Sequence, residues 1–366
     1  MLSSLLLFTK HHVNDAFTFV TGKTFFFRLG MVPVLYVTDP ELVREINLCR
    51  SLDLGKPAYL QKDRGPLLGK GLITTNCAVW THQRKTIAPN LYVDKVKVML
   101  PLVIESAKAL VKSWESMVES EGGVADIRVD EYVRNFTGTT AEAMIQILME
   151  GAKHGELGPS TPEQFVVDNC KDLYLAAFEV TGISAIWGLM LLASHPEWQE
   201  RARAEVLEVF GSNALDSRIL GKMKVLKMVV QEVLRLYPGV AFVSREALQD
   251  VKLGKLVVPK GVNIWIWLLE LQQDPKLWGP DADKFNPGRF ANGVSGACKN
   301  SQAYIPFGVG ARICPGQSLA IWEMRVMFAV ILANFSLSLS PNYHHIPNFG
   351  LLLEPKYGVN LLVGKI

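Results

Sequence analysis

Cys314 lies in Phe307-Gly308-Val309-Gly310-Ala311-Arg312-Ile313-Cys314-Pro315-Gly316, residue types that together can hold a metal ion beside a flat ligand. The thiolate is the form of cysteine that ligates metal. Pro315 suits the first position of a helix, where its missing amide hydrogen would have no partner. Leu319, Trp322, Val326, Val330 and Ala333 recur at helical spacing, which predicts a helix from Gln317 to about Ala333 with one apolar face. A sulfur at the mouth of that helix meets the positive end of the dipole and unpaired amide hydrogens, and both favour the thiolate. Gly308 and Gly310 allow the backbone to fold closely over a flat group. Arg312 places a cation two residues from the sulfur, where an acidic group of the ligand would sit. A lone cysteine is more often a small buried hydrophobe; the surrounding pattern singles this one out.

Other stretches say less alone. Glu232-Val233-Leu234-Arg235 puts an acid and a base at i, i+3 on a helix, where they can pair, as many ordinary surface residues do. Trp80-Thr81-His82-Gln83-Arg84 places a ring and a cation one turn apart. Leu173 to Ala193 is apolar except for Glu179. A membrane span needs about 20 mostly apolar residues, so this run is long enough. A helix apolar all round is equally the buried centre of a large protein. The capping pattern Thr161-Pro162-Glu163-Gln164 makes the run part of a longer helix, which favours the buried reading.

The Cys314 stretch resembles the haem-binding loop of the cytochrome P450 superfamily, F-x-x-G-x-R-x-C-x-G, without a mismatch. The resemblance implies haem b, with Cys314 as axial thiolate to its iron and Phe307, Gly310, Arg312 and Gly316 in the loop that holds it. Gln231 to Pro238 resembles the E-x-x-R helix of that superfamily. Phe285-Asn286-Pro287-Gly288-Arg289-Phe290 resembles its P-x-R-F segment, with Gly288 where Glu is frequent. By that resemblance Glu232, Arg235 and Arg289 form a buried charge network on the proximal side of the haem. Trp80, Arg84, Arg245 and Arg312 approach the haem propionates, a task that suits arginine forks. Ala176-Ala177-Phe178-Glu179-Val180-Thr181 is similar to the oxygen-side pattern A/G-G-x-D/E-T-T. It retains Glu179 and Thr181 as catalytic residues. Ala177 replaces a glycine and Val180 a hydroxyl, which weakens the route for proton delivery.

The match runs from about Gly30 to the C-terminus. It is best with the plant branch that includes gibberellin-oxidising enzymes, through GKPAYLQKDRGPLLGKGLITTN, VVDNCKDLYLAAFE and LLASHPEWQERARAEV. It implies a mainly α fold with a small β portion, in a single domain over residues 1–366. It implies insertion of one oxygen atom from O2 into a lipophilic small molecule such as a gibberellin-type diterpenoid, in plant hormone metabolism. Electrons would come from an NADPH-dependent reductase, on the cytoplasmic face of the endoplasmic reticulum membrane. Two parts of the family pattern are expected to be absent. One is the N-terminal membrane anchor, which leaves a cytoplasmic location as the alternative. The other is several helices between Glu150 and Pro162, which roof the substrate pocket. A haem monooxygenase needs a dry, closed pocket, so the alternative function is a non-catalytic haem-binding remnant or truncated isoform. A membrane-spanning structural protein built on Leu173 to Ala193 is a third reading.

The 366 residues, 49% of them hydrophobic, suffice for a large core. A net charge of +3 with no basic stripe argues against nucleic acid. Five cysteines, odd in number and without a C-x-x-C pair, argue against a disulfide framework or zinc site. The apolar run Met1 to Phe8, broken by Lys10, His11 and His12, reads as neither anchor nor signal peptide. Pattern and punctuation predict a hairpin of Thr24 to Leu29 with Val34 to Thr38, and a helix after Asp39-Pro40-Glu41. A loop is expected over 51–75 and a short helix from Trp80 to Ala88. Helices follow over about 94–120 and 131–150, then a polar linker from Gly151 to Pro162 and the long helix to about Ala193. Ser194 with Glu197 is expected to open a helix to Phe210, and Met223 to Leu236 to form another. Short strands are expected from Phe242 to Ile266, loop over 273–303, and a small sheet after Pro341.

Overall fold

The computed structural model describes residues 18–21, 23–49, 51–155, 157–210 and 215–366; the apolar run at Met1 to Phe8 lies outside them. Strands β1 (Thr18–Thr21), β2 (Thr24–Leu29) and β3 (Val32–Val37) form an antiparallel meander. Helix α1 (Pro40–Leu48) follows, with the Asp39 carboxylate accepting from the amides of Glu41 and Leu42. The expected loop at 51–75 instead contains β4 (Leu54–Gly55) and helix α2 (Ala58–Leu68). Only Leu68 of α2 is buried, so the helix has no apolar stripe that a pattern could detect.

Helix α3 (Cys77–Ile87) carries Trp80 and Arg84. Helix α4 (Val93–Ser120) buries Val96, Leu100, Val103, Ala107, Leu110 and Trp114 along one stripe. Gly122 and Gly123, at φ +81° and +110°, end it and turn the chain into β5 (Val124–Arg128). Helix α5 (Val129–His154) runs farther than expected, which shortens the linker before the next helix. That helix, α6 (Pro162–Ser194), begins with the Thr161 hydroxyl accepting from the Gln164 amide and is continuous through a π turn at Tyr174–Val180. Ser194 does not open α7 (Pro196–Phe210): its hydroxyl donates back to the Met190 carbonyl at 2.7 Å, and Pro196 takes the first helical position.

Helices α8 (Ser217–Lys222) and α9 (Lys224–Leu236) lead to β6 (Phe242–Ala247), β7 (Val251–Leu253), β8 (Leu256–Val258) and β9 (Asn263–Trp267). Helix α10 (Leu268–Gln273) follows, and the segment expected to be loop, 273–303, holds two short helices, α11 (Pro275–Trp278) and α12 (Gly293–Ala297). Helix α13 (Gln317–Asn334) then gives way to β10 (Phe335–Leu339), β11 (Pro347–Phe349), β12 (Leu353–Pro355) and β13 (Asn360–Lys365).

The larger sheet has the order β1-β2-β3-β9-β6-β4, and its β3–β9 pair is parallel. A second sheet, β10-β13-β5, joins the C-terminus to the start of α5. The main core lies between α4, α6, α7, α9, α13 and that second sheet; a smaller core covers one face of the larger sheet. Every residue from Thr181 to Ala193 is buried, and two thirds of the apolar window in α6 lies inside the protein (67%). Among the described residues α6 is the one helix long and apolar enough to cross a membrane, and its burial makes it the central core helix. Helix α13 is likewise buried all round from Glu323 to Leu332, not on one face as expected. Gly188 lets the two central helices touch, because a Cβ there would come within 2.3 Å of the Phe328 ring.

Candidate active site

The Cys loop closes on itself: the Cys314 amide donates to the Phe307 carbonyl at 2.9 Å. Helix α13 begins at Gln317, so Pro315 and Gly316 form a turn before it, and the Gly316 carbonyl accepts the amide of Ala320 at 3.0 Å. The sulfur sits where the leading amides of α13 reach it, but the thiolate is not favoured overall. Burial pushes the thiol up, and the amides of Gly316 and Gln317 and the charges of Arg84 and Lys56 oppose that rise without cancelling it. The helix amides favour the thiolate, and desolvation outweighs them.

The two glycines differ in purpose. Gly308, at φ +77°, faces Val243 and the Arg245 guanidinium near 4 Å. Gly310, at φ +71°, packs on the end of α1, where a Cβ would lie 3.2 Å from the Ile46 carbonyl, and its amide donates to Asn47 Oδ1 at 2.8 Å. It therefore docks the loop on α1.

Four cations converge near this loop. Arg84 Nη1 donates to the Ile313 carbonyl at 2.8 Å, next to the sulfur. Arg312 donates to the Thr75 carbonyl at 3.0 Å and to Asn76 Oδ1 at 2.8 Å, and its buried Nε has no partner. Arg245 donates to the carbonyls of Ser244 and Val309. The Trp80 ring lies 4.4 Å from the guanidinium of Arg312 and 6.0 Å from that of Arg84. Sequence reasoning missed the fourth cation, Lys56, which lies within electrostatic reach of Arg245, Arg312 and Cys314. Among the described residues none of the four forms an ion pair with a carboxylate. Burial holds the guanidinium of Arg245, and that of Arg312, down to about 10; the charge of Arg312 adds to this at Arg245, while at Arg312 Cys77 opposes it and Arg84 adds to it. Two buried guanidiniums, Arg245 and Arg312, and the half-buried Lys56 and Arg84, grouped without a carboxylate, and an orphaned guanidinium nitrogen leave room for an anionic ligand beside a cysteine sulfur. These residues fit a haem with its two carboxylates.

Glu232 and Arg235 are fully buried and paired twice, at 2.7 and 2.8 Å. Arg235 also donates to the carbonyls of Gln272, Ala282 and Lys284. Glu232 accepts the Asn286 amide at 2.9 Å and lies 3.7 Å from Arg289 Nε, close enough for ion pairing but too far for a hydrogen bond. Asp281, which no sequence signal marked, takes the other side of Arg289 at 2.9 Å. The network ties α9 to the irregular segment that leads to the Cys loop.

On the other side, the π turn of α6 widens the helix at Tyr174–Val180, a distortion frequent at functional sites. Helix α5 supports it: the Thr137 hydroxyl donates to the Phe178 carbonyl at 3.0 Å, and Arg134 Nε donates to Glu179 at 3.1 Å. Arg134 and Thr137 lie one turn apart on α5, a pairing visible only once α5 and α6 are packed. Thr181 is buried at 5% exposure, while Val180 lies against the Pro238–Gly239 corner, where a Cβ on Gly239 would meet it at 2.5 Å. The turn itself is only partly covered: no residue from Tyr174 to Val180 is buried, and Tyr174 is 59% exposed. A cavity of about 460 Å³ opens to Cys314 between Arg84, Tyr92, Asp94 and Gln317; neither Glu179 nor Thr181 lines it.

The sequence model of the family Cytochrome P450 matches residues 4–141 and 129–362. The chain belongs to the cytochrome P450 family. P450 enzymes of this family are monooxygenases that bind haem through a cysteine thiolate. Cytochrome P450 714C2 of Oryza sativa subsp. japonica is 41% identical over 98% of this P450 and 85% of its own length. Cytochrome P450 714B3 of Zea mays is 38% identical over 94% and 78%, and cytochrome P450 714A2 of Arabidopsis thaliana 34% over 93% and 81%. The crystal structure of the heme domain of a cytochrome P450DA mutant superposes with a TM-score of 0.80 at 21% identity, over 95% of this chain and 90% of that one. The fold is that of P450 heme domains. The alignment with the rice protein is 442 positions long against 366 residues here, so an internal stretch of that relative has no counterpart. The family model matches in two segments that overlap at residues 129–141.

Proposed function

We propose that this P450 binds haem b with Cys314 as axial thiolate, in a single domain over residues 1–366, and that it is a monooxygenase of lipophilic small molecules. The observation that carries the reading is the group of buried and half-buried cations around the Cys314 loop, none of them paired with a carboxylate among the described residues. In it Arg84, Arg245 and Arg312 hold the propionates, with Trp80 wedged between two of them. Phe307, Gly308 and Gly310 shape the loop, and Gly316 presents an amide to the sulfur. Glu232, Arg235 and Arg289 brace the proximal side. When bound, haem supplies the iron at which O2 is activated for insertion of one oxygen atom into a C–H bond or double bond. Glu179, held by Arg134, and Thr181 stand on the oxygen side as the groups that hold and pass protons. A gibberellin-type diterpenoid is the proposed substrate, an NADPH-dependent reductase the electron donor, and the cytoplasmic face of the endoplasmic reticulum membrane the location.

The test is the carbon monoxide difference spectrum of the reduced protein reconstituted with hemin. A red-shifted thiolate-type band is expected, lost in Cys314→Ser; a chain that stays colourless, or a band that survives the substitution, rejects the site. The exposed π turn favours a second reading, haem binding without a closed substrate pocket. Saturable low-to-high-spin shifts on adding gibberellin intermediates support the enzyme over this remnant, and their absence supports the remnant.

Val180 stands where a hydroxyl would aid proton delivery. Turnover is therefore expected to lose reducing equivalents as hydrogen peroxide, and Val180→Thr to lower that loss. Equal peroxide yields per NADPH from both proteins reject this account.

A further inference from the structure

We infer that Lys56 is a further cation for the carboxylate edge of the porphyrin and that Asn76 fixes its place beside Arg312, an inference that rests on the haem reading above. Asn76 immediately precedes α3, where an asparagine ordinarily caps by accepting an amide of the first turn. It makes no such bond. Its Oδ1 instead accepts from the Lys56 amide at 2.7 Å and from Arg312 Nη2 at 2.8 Å, and its Nδ2 donates to the Lys56 carbonyl at 2.9 Å. One side chain thus ties the backbone of Lys56 to the guanidinium of Arg312. The neighbouring residues are adapted to this arrangement. A Cβ on Gly55 would come within 2.7 Å of Asn76 Oδ1, so glycine makes the approach possible. Cys77, directly after Asn76, is held at φ +50°, a left-handed conformation costly for a residue with a side chain.

The ammonium of Lys56 has no carboxylate within ion-pair distance among the described residues. Burial and then the repulsion of Arg245 and Arg312 push it down to about 7. Asp172 is the acid that attracts it, but Asp172 is itself pushed up to about 7 by burial, and its Oδ2 already accepts the Ile73 amide at 2.6 Å. It does not neutralise the group. Keeping Lys56, Arg245 and Arg312 together is unfavourable unless an anion joins them. A ligand with two adjacent carboxylates on one edge meets that requirement, and the flexible stem of lysine lets its point charge follow whichever carboxylate Arg312 leaves free.

The experiment compares hemin with hemin dimethyl ester, which keeps the ring and iron and removes both negative charges. Each is titrated into the full-length apoprotein as wild type, Lys56→Gln, Lys56→Arg and Asn76→Asp. For Lys56→Gln the hemin Kd is expected to rise about tenfold or more, the scale of one lost charge-assisted contact. Binding of the ester is expected not to change, and Lys56→Arg to stay near wild type. Asn76→Asp places a competing carboxylate against Arg312 and is expected to weaken hemin selectively as well. The readout is the ratio of the two affinities within one protein, so a variant of lowered stability still decides the matter. If Lys56→Gln weakens both ligands equally, or neither, Lys56 is a structural residue or faces a carboxylate of the substrate, and the inference is overturned. Equal losses in Asn76→Asp overturn its part. A wild type that takes up no hemin overturns the haem reading and this inference with it, whereas one that binds hemin and ester equally overturns only the inference.

Discussion

Glu232→Ala is expected to cost about 3–5 kcal/mol of folding stability, read as a fall in the urea midpoint at unchanged slope. Both partners of the Glu232–Arg235 pair have no exposed surface, so removing the carboxylate strands a guanidinium that water cannot reach. Arg235 would keep its bonds to the carbonyls of Gln272, Ala282 and Lys284, but those dipoles do not replace a full charge. A loss of this size is a large share of the roughly 5–15 kcal/mol typical of folded domains. The double variant Glu232→Ala/Arg235→Met is expected to recover part of it, because no charge is then buried unpaired. A Glu232→Ala midpoint within about 1 kcal/mol of wild type would sink the argument, since surface pairs account for no more than that.

The second large effect is a dependence on pH. Glu323 lies on α13 at 1% exposure, and neither of its carboxylate oxygens makes a hydrogen bond of good geometry. Burial raises its pKa to about 8, with the facing Thr140 hydroxyl resisting slightly. An unfolded glutamate loses its proton near 4.5. Between those values the folded chain holds a proton that the unfolded chain has released, so stability falls as pH rises through that window and levels off above it. Each unit of such a shift is worth ~1.4 kcal/mol. Glu323→Gln has no carboxyl to ionise. Its stability relative to wild type is therefore expected to be near zero at pH 5 and a gain of several kcal/mol at pH 8.5, measured as the difference in unfolding midpoints. The same difference at both pH values would show that Glu323 is hydrated and ionised in the folded protein.

Much of this protein is legible along the chain because the relevant forces are local. Asp39 and Thr161 cap helices as their positions predict, since a side chain two or three residues from an amide needs no distant partner. The stripe on α4 appears in sequence because one face of a long helix meets the core. Helix α2 leaves no trace in the pattern because it meets almost nothing, and the full enclosure of α13 is not legible because a helix buried on every side has no polar stripe to complete the pattern. The β3–β9 pairing joins strands that only chain folding brings together, and no local signal gives its parallel register.

The site divides in the same way. Residue types alone say that a thiolate can ligate a metal and that a guanidinium can pair with a carboxylate; the resemblance of the surrounding stretches to the family patterns is what singled out Cys314, the Glu232–Arg235 pair and the arginines proposed to serve a haem. Tertiary structure decided their surroundings. It enclosed Cys314 so that burial outweighs the helix amides, turned Gly310 toward α1, gave Glu179 to Arg134, and set Lys56 and Asn76 beside Arg312. Desolvation and charge–charge energies depend on which atoms are near in space, and that is settled only when segments far apart in the chain are packed together.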